Sequence, residues 1–251
     1  MKKKKVNRHP CVVKQPKNTL KRACALCLCV ALPFALCTCG TKKTSQEPDH
    51  LSSSECVEIV YLDAGHGGFD VGAVGKTVAG EEVLEKDITL SIVQLVAQKL
   101  RTEGYTVLCA REGDTRLTDT TSRDEVLARR AAANEAGADL LLSINANAYA
   151  GAGRAYGARV YYHPESTQGA AYADTLGKAI TRHTHTLIGR ECRTIPDDTY
   201  LILGNSDLPT LLLEVGFLSD AVELALLVDP VYQDRLASAV CEAVIKMGRN
   251  A

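Results

Sequence analysis

The 251-residue chain has no tryptophan, three phenylalanines, two methionines and an aromatic content of only 5%. A core built on aromatic anchors, as in many β-sandwiches, is therefore disfavoured, and its Ala, Leu and Val suit helices packed on a sheet. Charge of one sign is missing too. The net charge of −1 leaves no basic footprint for nucleic acid. Neither GxGxxG nor GxxxxGK followed by Ser or Thr occurs, and no helix starts directly after Gly68. A nucleotide-phosphate cradle is thus not indicated. Beyond residue 39 the cysteines are Cys56, Cys109, Cys192 and Cys241, with no CxxC among them. They form no zinc-cysteine pattern, and their spacing does not pair them into disulfides. No internal repeat or low-complexity array is present.

A long membrane-spanning run is also lacking. Ala23 to Gly40 carries no charge, but it is shorter than the ~20 apolar residues a spanning helix needs. Before it, Lys2, Lys3, Lys4, Lys5, Arg8, Lys14, Lys17, Lys21 and Arg22 occur with no acid. A basic leader followed by a short apolar stretch reads as an export signal. Six of the ten cysteines fall in residues 1–39; Cys24, Cys27 and Cys29 lie in the apolar stretch, where cysteine behaves as a small hydrophobe. Leu36-Cys37-Thr38-Cys39-Gly40 resembles a bacterial lipoprotein signal, which implies lipid on Cys39, a membrane anchor, and a location at the outer face of the cytoplasmic membrane or in the cell envelope. Thr41 to Glu55 is polar and aperiodic and reads as a flexible tether. The expected organisation is an export signal over 1–39, a linker over 40–56 and one folded domain over 57–249.

Within that domain the pattern alternates between strands and helices. Ile59 to Leu62 is a short apolar strand running into Asp63-Ala64-Gly65-His66-Gly67-Gly68. Glycines there permit positive φ and close approach of a ligand, and histidine is both the commonest metal ligand and a neutral-pH acid or base. Lys76 to Glu82 reads as an exposed excursion. Ile88, Ile92, Leu95, Val96 and Leu100 recur at helical spacing after Glu85, and Gly104 stops the helix. Tyr105 to Ala110 is the next strand, which makes a βαβ unit with parallel strands. Ser122 to Gly137 is a helix, with Thr121 or Ser122 as N-cap and Glu125 placed for a capping box. Ala138 to Ile144 and Ala158 to Tyr162 are strands, Ser166 to Ile188 contains a long helix, and Leu201 to Leu203 reads as a short strand. Leu211 to Val215 is an apolar strand interrupted by Glu214. Ala221 to Val228 and Pro230 to Met247 are closing helices. The fold class is α/β: a single three-layer domain with a mixed, mostly parallel sheet flanked by helices.

Ligands of open α/β sheets bind beyond the carboxyl ends of the strands. His66, Asn145, Asn147 and Glu214 lie at strand ends, and Glu85 opens the helix after the first strand. Glu214 stands out, because a carboxylate in LLLEV costs several kcal/mol to desolvate unless it is paired or serves a site. It either pairs with an arginine, such as Arg111 or Arg130, or does chemistry.

Four segments, in order, resemble the zinc-dependent N-acetylmuramoyl-L-alanine amidases of bacterial cell walls. They are LDAGHGGFDVGAVG, EKDITLSIVQLVAQKLRTEGYTVLCAREGDT, RAAANEAGADLLLSINANA and PTLLLEVGFLSD. The resemblance implies Zn2+ held by His66 and Glu85, with Glu81 and Glu82 as competing carboxylates, and Glu214 as the catalytic base. It implies positioning roles for Arg130, Asn134 and Asn147. It implies that zinc-activated water cleaves the bond between N-acetylmuramic acid and L-alanine, so the partners are the peptidoglycan stem peptide and glycan. One departure is plain: the family's second zinc histidine is Asn145. An amide oxygen is a poor replacement for imidazole on zinc. Either Asn145 completes a weaker site, or His163, His183 or His185 steps in, or the domain binds wall peptide without cutting it. An exported metallopeptidase acting on proteins would share the chemistry.

Overall fold

The structure, a computed structural model, describes residues 57–150, 155–204 and 207–249. The expected export signal, with Cys39, and the expected linker lie outside the described residues. The chain runs β1 (Ile59–Ala64), β2 (Val74–Lys76), β3 (Glu82–Leu84), α1 (Glu85–Thr102), β4 (Thr106–Cys109), α2 (Ser122–Glu135), β5 (Leu140–Asn147), β6 (Arg159–Tyr162), α3 (Thr167–Ile188), β7 (Arg193–Pro196), β8 (Thr210–Phe217), α4 (Ala221–Leu227) and α5 (Pro230–Arg249). The main sheet has the order β4-β1-β5-β8-β6-β7. Strands β4, β1, β5 and β8 are parallel, β6 runs antiparallel to β8, and β7 is parallel to β6. The fold is the α/β, mixed and mostly parallel sheet that the pattern predicts.

Two-residue alternation divides the central strands between two cores. Val60, Leu62 and Ala64 of β1, Leu142 and Ile144 of β5, and Leu211 and Leu213 of β8 pack with Ile92, Val96, Ile180 and Val240 from α1, α3 and α5. Tyr61, Leu141, Tyr161 and Leu212 point the other way and pack with Ala133 of α2 and with Ile202, Leu203 and Leu208. Alternation then carries Asp63, Ser143, Asn145 and Glu214 to the second face, at the carboxyl ends of their strands.

Local differences from the sequence reading have simple causes. The 76–82 excursion is the turn of a β2–β3 hairpin, closed by Gly80 at φ 87°. Leu201 to Leu203 is a turn, not a strand; its Ile202 and Leu203 are apolar because they roof the second core. One of the two edge strands is β7, which pairs on one side only and whose RTIP carries almost no strand signature. Thr121 caps α2 by accepting from the Asp124 amide at 3.1 Å, and Glu125 turns inward instead of forming a capping box. Cys109, Cys192 and Cys241 are free thiols. No helix among the described residues is long and apolar enough to cross a membrane.

Candidate active site

The loop after β1 is clamped from both sides. Arg111, buried, donates from Nε to the Ala64 carbonyl at 2.9 Å and from Nη2 to the Gly65 carbonyl at 3.0 Å. Arg129 of α2 is 2% exposed and donates to Asp63 Oδ1 at 2.5 Å, the Ala64 carbonyl at 2.6 Å and the His66 carbonyl at 2.7 Å. Arg129 also holds Glu125 at 2.8 Å. Three successive carbonyls are thus fixed by two guanidiniums, whose planar forks suit such multiple contacts. His66 itself has φ 63°, the one non-glycine residue with positive φ among the described residues. Backbone strain of this kind is kept where surroundings over-determine it, and it concentrates at sites.

The His66 ring lies between two carboxylates. Nε2 is 3.1 Å from Glu85 Oε2, and Nδ1 is 3.0 Å from Asp70 Oδ1, although Nδ1 has no aligned hydrogen bond. Burial works against a charge on the ring, but the Glu85 hydrogen bond and the Glu85 and Asp70 charges outweigh it and raise its pKa to about 9. Glu85 is the first residue of α1 and is 4% exposed. Its Oε1 accepts from the Ala146 amide at 2.9 Å, and its Oε2 accepts from the Ala73 amide at 2.8 Å.

Glu214 is 8% exposed and its Oε2 has no hydrogen-bond partner. Burial, followed by the nearby Glu85 charge, pushes its pKa up to about 8 against the pull of His66 and Arg159. The alternative of a structural ion pair is excluded for the arginines considered. Arg111 serves the β1 loop, and Arg130 donates to the Leu201 carbonyl at 3.1 Å. A cavity of about 520 Å³ is lined by His66, Asp70, Glu85, Asn145, Asn147, Tyr200 and Glu214, with Asp63, Glu125 and Arg129 in its wall.

The remaining residues singled out in the sequence fall elsewhere. Glu82 is exposed and pairs with Lys76 at 3.8 Å, and Glu81 is exposed in the hairpin turn, so neither competes with Glu85. Arg130 and Asn134 do not line the cavity; Asn134 is exposed and donates to the Arg130 carbonyl. The helix residue that reaches the site is Arg129, one position earlier. Glu125, Arg129 and Ala133, spaced by four, form the buried face of α2, and that spacing was the available signal. Asp63, Ser143 and Asp70 were also missed, although Ser143 shares a strand face with Asn145 and Asn147.

None of the other described histidines replaces the missing one. His163 follows β6, which runs opposite to β8, so it lies at the far sheet edge from Glu214. His183 is held by Glu242 at 2.8 Å on α3, and His185 is exposed. Among the described residues no group of three His, Cys, Asp or Glu is arranged to hold a metal ion. The positions that the resemblance assigns to ligands, His66, Glu85 and Asn145, offer an imidazole, a carboxylate and an amide oxygen. That set has one nitrogen fewer than the resemblance implies, and all three line the same cavity as the unpartnered Glu214.

Comparison with known proteins agrees with the fold. The family model described as N-acetylmuramoyl-L-alanine amidase matches residues 60–246. The chain belongs to the N-acetylmuramoyl-L-alanine amidase family. It is 32% identical over 196 residues to the germination-specific N-acetylmuramoyl-L-alanine amidase of Bacillus subtilis, covering 75% of this chain and 79% of that one. It is 26% identical over 230 residues to N-acetylmuramoyl-L-alanine amidase AmiA of Escherichia coli, covering 74% and 75%. In three dimensions it is similar to the CwlD amidase from Clostridioides difficile, solved in complex with the GerS lipoprotein. The TM-score is 0.68 at 28% identity, over 77% of this chain and 100% of that one. The amidase domain accordingly accounts for every described element from β1 to α5, with the cavity at the carboxyl edge of its sheet.

Proposed function

We propose that this chain hydrolyses peptidoglycan at the amide bond between N-acetylmuramic acid and L-alanine of the stem peptide. The observation that carries the reading is Glu214 Oε2: a buried, unpartnered carboxylate oxygen in the cavity that also holds the His66–Glu85 pair. A buried polar atom without a partner costs free energy that a catalytic role explains.

The metal implied by the family is zinc, and His66, Glu85 and Asn145 would hold it. When bound, zinc polarises an amide carbonyl and lowers the pKa of a water toward ~7. This chain's own residues supply the rest. The Asp70 charge beside Nδ1 and the clamped backbone favour one placement of the His66 ring. The Ala73 and Ala146 amides fix the Glu85 carboxylate. Glu214 Oε2 takes a proton from the attacking water and passes it to the leaving amine. Asn147 and Tyr200 line the cavity where the substrate's backbone would lie. We also propose export and lipid attachment at Cys39, which would place the domain beside its polymer substrate; the basic leader and the Leu36–Gly40 pattern support that reading.

Asn145 favours a second reading, in which the domain binds wall peptide without cutting it. Digestion of purified peptidoglycan separates the two. Release of stem peptides beginning with L-alanine, detected by mass spectrometry and abolished by chelator, supports the amidase. Intact polymer with tight binding of the protein supports the binding module.

A further inference from the structure

The Asn145 carboxamide is held in one orientation by a relay of hydrogen bonds. Arg129 ion-pairs with Asp63 Oδ1 at 2.5 Å, Ser143 Oγ donates to Asp63 Oδ2 at 2.7 Å, and Asn145 Nδ2 donates to Ser143 Oγ at 3.0 Å. An ionised carboxylate only accepts, so the single Ser143 proton is committed to Asp63. The Ser143 oxygen then offers only lone pairs to Asn145. A flipped amide would set oxygen against oxygen, so the NH2 group faces Ser143 and Oδ1 faces away from it. On that side lies Gly65, where a Cβ would come within 1.9 Å of Oδ1. The absent side chain leaves the room the amide oxygen occupies. Gly65 adjoins His66, and the residue after Asn145 donates its amide to Glu85 Oε1.

We propose that Asn145 is a pre-oriented oxygen donor that makes this an oxygen-rich divalent site, with a weakened preference for zinc and real capacity for Mn2+. The inference rests on the reading that His66 and Glu85 hold an ion. Its physical basis is donor hardness. Imidazole favours zinc, whereas carboxylate, carbonyl and water suit manganese. Replacing one imidazole by an amide oxygen takes away more from zinc than from manganese.

The test titrates MnCl2 into the metal-free full chain, reading free Mn2+ by electron paramagnetic resonance, then displaces it with ZnCl2. Stoichiometric Mn2+ binding is expected. Asn145→His should tighten zinc by about 10–100-fold while moving Mn2+ by less than about threefold. Ser143→Ala, which frees the amide to rotate, should weaken Mn2+ by roughly tenfold, and Ser143→Thr, which keeps the hydroxyl, should restore it. Asn145→Ala gives the same loss as Ser143→Ala while leaving the Arg129–Asp63–Ser143 links in place, and circular dichroism confirms the fold of each variant. Unchanged zinc affinity in Asn145→His, or zinc binding without Mn2+ binding in the parent, overturns the proposal. Peptidoglycan digestion keeps the two readings apart. Mn2+ binding without digestion removes the amidase reading alone, and digestion with zinc but no Mn2+ binding removes this proposal alone.

Discussion

Asn145 stands directly opposite Glu214 in the register of the parallel strands β5 and β8. The residue that departs from the family pattern and the carboxylate read as its base are therefore neighbours on one sheet face. One donates an amide hydrogen to Ser143, and the other has a buried oxygen with no hydrogen-bond partner.

Glu214→Gln tests the base directly. The amide keeps the shape but cannot take a proton, so release of stem peptides should fall by about 10²–10⁴-fold. The metal content and the circular dichroism spectrum should match the parent. A parent-like rate in this variant would remove Glu214 from the mechanism.

Arg129 and Asn134 predict opposite results on one helix. Arg129→Met leaves Asp63 buried without its cation and Glu125 with only Arg116, 3.8 Å away, and a broken buried pair costs about 3–5 kcal/mol. It also frees the His66 carbonyl. Asn134→Ala removes an exposed contact and should stay within about 0.5 kcal/mol of the parent. Urea unfolding of both variants checks the contrast, and comparable losses in both would refute it.

Acid should weaken the fold through Glu125. Burial raises its pKa, but the Leu117 and Thr118 amides and Arg129 outweigh that and hold the carboxyl below its ordinary value. A group depressed in the folded state contributes stability that is full above its unfolded pKa and is lost as pH falls through its folded value. The melting temperature should therefore drop on acidification from pH 5 toward pH 3. Glu125→Gln should be less stable at pH 7 and show a shallower slope over that range; parallel slopes would refute the assignment.

Gly72→Ala should close the site while sparing the core. Gly72 has φ 68°, and a Cβ there would come within 2.6 Å of Glu85 Oε2 and 2.7 Å of the His66 ring. The positive φ alone costs about 1–2 kcal/mol for an L side chain. The His66–Glu85 pair would be pushed apart, so ion binding should fall more than tenfold on the scale of ligand-shell losses. Calorimetric titration with Zn2+ measures that loss, and unchanged affinity would show that the pair is not where the ion sits.

How much of this was legible in the sequence differs by residue. Glu214 and His66 were visible because each breaks a local rule. A carboxylate in an apolar strand and an imidazole among glycines both need a reason. Glu85 was visible because it opens an amphipathic helix at the edge where β1 ends. Arg129 was legible only faintly, through its four-residue spacing from Glu125 and Ala133, because Arg130 is adjacent and packing against β1 decides which of the two turns inward. Strand β7 was missed for a related reason: an edge strand of four residues carries little pattern of its own.

Local chemistry along the chain determined the elements, their parallel pairing and the edge at which polar residues collect, because side-chain period and chain connectivity are properties of the sequence. Tertiary structure decided which groups meet: that Asp63 and Ser143 lock the Asn145 amide, that no other described histidine reaches the cavity, and that Glu214 Oε2 is left without a hydrogen bond. Those facts depend on distances between residues far apart in the chain, and only the packed sheet and helices set such distances.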